Sequence, residues 1–136
     1  MNRESLAVGI GLREGATAAD IVTLVRETVA RHQIGLHRIA LFTLDSKINA
    51  PSIHDAAREL GTVITYLPLA RLAAHKDETI TRSAVVESRF GVGSICEAAA
   101  LAGAGPGARL IAPRSTNARV ACALAIAADD TVGSVE

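Results

Sequence analysis

The chain is poor in aromatic residues, with one Tyr, two Phe and no Trp among 136 residues. Single-stranded nucleic acid is held by stacking bases on aromatic side chains, so that binding mode has no platform here. Charge of a single sign is lacking too. Fourteen Lys plus Arg offset fourteen Asp plus Glu, whereas sequence-blind nucleic-acid binding needs a basic surface that displaces counterions. No apolar stretch reaches the roughly 18 residues of a membrane span. No basic segment followed by an apolar run opens the chain, so a cytoplasmic protein without membrane contact is expected. The only cysteines, Cys96 and Cys122, stand in apolar company, as buried free thiols of a reducing compartment do. His32, His37, His54 and His75 have no HxxxH or CxxC companion, so neither a metal site nor a cofactor is expected.

With 49% apolar and 21% charged residues, the chain has enough to bury a core and is not expected to be disordered. One domain over residues 1–136 is predicted, with 128–136 as a fraying tail. "SLAVGIG" (5–11) reads as a buried strand. Thr17 caps a helix, with Asp20 three residues on and Ile21, Leu24, Val25 and Val29 at helical spacing. "RIALFTL" (38–44) is a second strand. Pro51 opens a helix through Leu60 that Gly61 stops, and "TVITYLP" (62–68) is a third strand. Strand–helix–strand–helix–strand predicts parallel pairing with right-handed crossovers.

The second half is less regular. "LARLAAH" reads as a short helical turn, and "SAVVESRF" (83–90) is ambiguous between helix and strand. An alanine helix runs from Ser94 to Ala102 and should be largely buried. "RLIAP" (109–113) and "RVACALAIA" (119–127) read as closing strands with a hairpin across "RSTN".

In an open sheet, ligands collect at the carboxyl ends of the parallel strands. Gly9–Gly15, Thr43–Asn49 and Gly91–Ser94 should converge there, bringing Arg13, Asp45 and Lys47 as their charged groups. "GIGLREG" is spaced G-x-G-x-x-x-G rather than G-x-G-x-x-G, which makes a dinucleotide-binding enzyme the outsider. "SICE" (94–97) is a capping box in which Ser94 accepts from the Glu97 N–H and Glu97 reaches back to Ser94. That cap leaves Gly91 and Gly93 unexplained; two glycines before a helix allow a ligand close to the backbone.

Taken together, "GIGLREGAT", "TLDSKINAPSIHDAARELG", "GVGSICEAAAL" and "LIAPRSTNARVACALAIA" resemble the cobalamin-biosynthesis family of CobE and the CbiG C-terminal domain. The resemblance spans nearly the whole chain. A free-standing chain of this length resembles the CobE form, since the CbiG form carries further N-terminal regions. The family implies an α/β/α sandwich around a mostly parallel, mixed sheet and a role near ring contraction. CbiG-type proteins open a lactone on a cobalt-precorrin and release a two-carbon fragment.

Two departures stand out. Where the family commonly has Cys-Arg-Lys-Gly, this chain has Leu12, Arg13, Glu14 and Gly15; where a lysine is usual, it has Arg114. The resemblance implies binding of an anionic precorrin by Gly11, Arg13, Lys47, Gly91, Gly93, Ser94 and Arg114, with other corrin-pathway enzymes as further partners. The alternative is a lactone hydrolase, for which Asp45 and Glu87 are the candidate bases.

Overall fold

Bulky and small residues alternate along β1 (Ser5–Leu12), and that alternation decides what packs on each side of the sheet. In a strand, successive side chains point to opposite faces. Leu6, Val8 and Ile10 enter one core, while Gly9 and Gly11 face the Cys96 turn of a helix on the other side. The computed structural model describes residues 5–32, 38–117 and 119–128. The predicted tail beyond Ala128 therefore lies outside the described residues, as does His37.

The order continues with α1 (Ala18–Arg31), β2 (Arg38–Leu44), a 3-10 turn (Asp45–Lys47), α2 (Pro51–Leu60) and β3 (Ile64–Leu67). Then come α3 (Leu69–Ala73), α4 (Ala84–Phe90), α5 (Ile95–Ala104), β4 (Arg109–Asn117) and β5 (Val120–Ile126). The strands form one sheet in the order β3-β2-β1-β5-β4. β1 pairs in parallel with β2, and β2 with β3. β5 runs antiparallel to both β1 and β4, so β4 points the same way as β1. The predicted mixed, mostly parallel sheet is present.

Local signals set the first half. Thr17 Oγ1 accepts from Asp20 N–H at 3.1 Å, and the Asp20 carboxylate accepts from Thr17 N–H at 3.5 Å, a reciprocal cap that starts α1. Pro51 opens α2, and Gly61 ends it with φ +72°, a left-handed conformation that suits glycine. α1 and α2 send Ile21, Leu24, Val25, Ile53 and Ala56 against Leu6, Val8, Ile10, Cys122 and Leu124.

The opposite face is flatter. Ala123 and Ala125 of β5 pack on Cys96, Ala100 and Leu101 of α5, and further along Ala98, Ala99 and Ala102 meet Leu44, Leu67 and Leu72. Helices thus cover both faces, which completes the three-layer α/β/α sandwich. Cys96 through Ala102 are all buried, as predicted for the alanine helix. A Cβ on Gly9 would fall on the Cys96 carbonyl and 2.6 Å from Ala100 N, and one on Gly103 would come within 2.6 Å of the Phe42 ring. The small residues are therefore a packing device: they let α5 lie almost against the strand backbone.

In the second half one open alternative is decided and one expectation is corrected. "SAVVESRF" is helix, started by Ser83 Oγ accepting from Val86 N–H at 3.3 Å. "RSTN" is not a turn, because β4 continues through Asn117, which pairs with Val120. β4 passes Pro113 by shifting register between Ala112 and Ser115. Proline has no N–H to donate and is tolerated on an edge strand at such an irregularity.

Candidate functional site

The carboxyl ends of β1 and β2 open onto the same edge, and so does the β4–β5 connection, since Leu12 pairs with Val120. Arg13 N–H extends that ladder by donating to the Arg119 carbonyl at 2.8 Å. Between these segments and the start of α2 lies a groove of about 260 Å³, lined by Leu12, Arg13, Glu14, Gly15, Lys47 and Ser52 among others. Arg13 and Lys47 come from different strand ends, so the fold rather than the sequence brings them together. The first turn of α2 also lines the groove, and its N-cap residue, Ala50, supplies no side-chain cap. Helix N-termini present N–H groups and a partial positive charge to anions.

Arg119 is not among the groove's lining residues but packs against one of them, Gly15, and no local motif in the sequence points to it. Its guanidinium lies against Gly15, whose φ is +88°, so that a Cβ there would sit 3.3 Å from Nε. What places it is the antiparallel pairing of β1 with β5, a contact across more than a hundred residues that no local motif announces.

The other predicted residues divide between the edge and the α5 face. Asp45 is exposed at the head of the 3-10 turn, where its carbonyl accepts from Ile48 N–H at 3.1 Å. Asp45 is not among the residues lining the groove. Glu87 stands on α4, and its carboxylate is engaged by the Arg82 guanidinium at 2.7 Å. Gly11 faces Cys96 and Ala121. Gly91 ends α4 with φ +77° and open space around it, whereas a Cβ on Gly93 would meet the Thr81 carbonyl oxygen at 2.8 Å. Both glycines thus have backbone reasons of their own. Ser94 is buried, 3% exposed, and caps α5 by accepting from Glu97 N–H at 3.3 Å.

Glu97 corrects the predicted capping box. Its carboxylate does not turn back to Ser94 and is fully buried. Oε1 accepts from the Ile80 and Thr81 N–H groups at 2.7 and 2.9 Å. Oε2 accepts from the Thr81 hydroxyl at 2.7 Å and the Arg114 N–H at 2.8 Å. Four donors satisfy a carboxylate that burial would otherwise penalise heavily. Arg114 falls within the register shift of β4, between the paired residues Ala112 and Ser115. Arg114 itself is exposed on the edge strand, so Glu97 fixes its backbone and not its charge.

Both thiols are buried. Burial pushes Cys96 up to about 12 and Cys122 up to about 11. Between about pH 8.5, where an unfolded thiol titrates, and those values, the native chain holds protons that the unfolded chain has lost. Stability therefore falls as pH rises through this window, by up to about 1.4 kcal/mol per pH unit for each thiol. Urea midpoints taken from pH 7 to 10.5 should drop less steeply in Cys96→Ala and Cys122→Ala than in the wild type. Equal slopes in all three proteins would refute this assignment.

The fold is an α/β/α sandwich with a groove at the carboxyl edge of its parallel strands, where Arg13, Lys47 and Glu14 are the charged lining residues. Residues 6–125 match the family described as "Cobalamin synthesis G C-terminus", and the chain belongs to that family of cobalamin biosynthesis proteins. The Protein CobE of a Sinorhizobium species is 27% identical over 121 residues, which is 88% of this chain and 79% of that protein. A crystal structure of CobE, a protein from the cobalamin (vitamin B12) biosynthetic pathway, superposes with a TM-score of 0.80 at 32% identity, covering 90% of this chain and 89% of that one. The cobalamin biosynthesis protein chiG from Agrobacterium tumefaciens gives a TM-score of 0.70 at 33% identity, over 91% of this chain and 99% of that one. Among the described residues, no helix is long and apolar enough to cross a membrane.

Proposed function

We propose that this protein binds an anionic precorrin near the ring-contraction stage of corrin synthesis and holds it without turning it over, in the cytoplasm and in company with other corrin-pathway enzymes. The observation that carries the reading is the meeting of Arg13 and Lys47 in one groove, with the Arg119 guanidinium beside it at Gly15. Precorrins carry several carboxylates around a flat, largely apolar ring. A volume of about 260 Å³ suits carboxylate arms rather than a whole macrocycle, so the ring would rest outside the groove.

The hydrolase alternative needs an activated water and therefore a free base. Glu87 is held by Arg82, and Leu12 stands in the groove wall where the family's thiol would be. Asp45 is the remaining candidate. Titration of purified protein with precorrin intermediates, followed by mass analysis for a cleaved product, distinguishes the two. Arg13→Ala and Lys47→Ala should each weaken binding by about 1–3 kcal/mol, the range for charge-assisted contacts. Asp45→Asn should leave affinity unchanged or slightly improved, because it removes a negative charge near an anionic ligand. Repeated turnover of a precorrin lactone, lost in Asp45→Asn, would overturn the carrier reading.

A further inference from the structure

Lys47 sits in a turn that side-chain packing does little to hold. Ile48, its largest apolar neighbour in the turn, is 52% exposed. Backbone bonds close part of the turn: Ile48 N–H donates to the Asp45 carbonyl at 3.1 Å, and Ala50 N–H to the Lys47 carbonyl at 2.9 Å. The third closure comes from a side chain. His54, exposed on α2, reaches back so that its Nε2 lies 3.0 Å from the Ile48 carbonyl oxygen. The same nitrogen lies 2.9 Å from the Tyr66 hydroxyl at the end of β3, with the two rings tilted at a centroid distance of 5.7 Å.

One nitrogen cannot serve both partners equally. A carbonyl oxygen only accepts, so the Ile48 bond requires a proton on Nε2. A bare Nε2 would accept from the Tyr66 hydroxyl and release Ile48. We propose that His54 is a positioning residue: with its proton on Nε2 it tethers the turn that presents Lys47 to the groove, and the Tyr66 hydroxyl competes for that nitrogen. His54 is not among the groove's lining residues, and it acts on the ligand only through Lys47. That last step rests on the anion-binding reading of the groove.

The test uses His54→Ala, His54→Gln and Tyr66→Phe in the full chain. The Gln amide can place a donor near the position of Nε2, and Phe removes only the competing hydroxyl. The first measurement is hydrogen exchange at the Ile48 and Ala50 amides, without ligand. His54→Ala should speed it on the order of ten-fold, a loss near that of one hydrogen bond. Gln should restore most of the protection, and Phe should keep or raise it. The second measurement is titration with an octacarboxylate porphyrin bearing acetate and propionate arms. His54→Ala should weaken binding on the order of five-fold, with the loss absent in a Lys47→Ala background and kept in Arg13→Ala. Unchanged exchange in His54→Ala, or Phe acting like Ala, would overturn the tether. An equal loss in both backgrounds would overturn the route through Lys47. If the wild type ignores the porphyrin while the exchange pattern holds, the ligand reading fails and the tether stands.

Discussion

Gly9→Ala is expected to cost more stability than the same change at any other described glycine, on the order of 4 kcal/mol or more. The new Cβ would fall on the carbonyl of Cys96 and 2.6 Å from the nitrogen of Ala100. Both are backbone atoms of α5, so no side chain can swing aside. The helix must lift from β1, and its contacts with Ala123 and Ala125 lift with it. Ordinary overpacking costs about 1–3 kcal/mol because side chains share the strain; here they cannot. A domain with a typical stability of about 5–15 kcal/mol would lose a large part of it. Gly11→Ala supplies the contrast. It lies two residues along the same strand on the same face, yet its Cβ would meet only the Ala121 and Cys96 side chains at 3.8 and 4.0 Å, which is ordinary contact. Urea unfolding should place Gly11→Ala within about 1 kcal/mol of the wild type. Similar midpoints for the two variants would show that α5 does not lie where described.

The second large effect belongs to Glu97. Replacing it with Gln keeps the shape but turns one acceptor oxygen into a donor. If the new NH2 takes the Oε2 position, the Thr81 hydroxyl can rotate to accept from it, but the Arg114 N–H is left without a partner. If it takes the Oε1 position, the N–H groups of both Ile80 and Thr81 are stranded. Each stranded donor costs about 1–3 kcal/mol. The amide takes the cheaper orientation, so Glu97→Gln should destabilise by about 1–3 kcal/mol. Glu97→Ala should cost more, because it strands every donor and opens a cavity. Hydrogen exchange gives the local signature: the amides of Ile80, Thr81 and Arg114 should lose protection before those of β1 and β5. Full retention of their protection in Glu97→Gln would mean that the carboxylate is not what fastens these segments.

The contrast between those residues and the better-read ones shows what a sequence carries. Thr17 with Asp20, Pro51 and Gly61 act on neighbours within one helical turn, so their chemistry is visible in a short window. The alternation along β1 likewise announces a strand with two different faces. Glu97 departs from its local pattern for the opposite reason. Its spacing from Ser94 fits a cap, but its partners lie sixteen and seventeen residues away, and distant donors outcompete the local one. The groove was half legible. Strand order puts Arg13 and Lys47 on one edge, whereas Arg119 arrives there only through the pairing of β1 with β5. Gly91 and Gly93 have the backbone freedom a nearby ligand would need, and the fold adds a helix end and a close backbone contact as structural reasons of its own.

The sheet order also bears on synthesis. β5 lies between β1 and β4, although it leaves the ribosome after every other strand of the sheet. Until it arrives, β1 can pair with β2 on one side only, and its other side, from Leu6 to Leu12, offers seven unmatched positions. An open, apolar strand edge is a template for pairing with other chains. A nascent chain paused after β3 is thus competent to wind its first crossovers but not to close its own flank. Rapid completion of the last strands, or a chaperone covering β1 in the interval, would protect that edge.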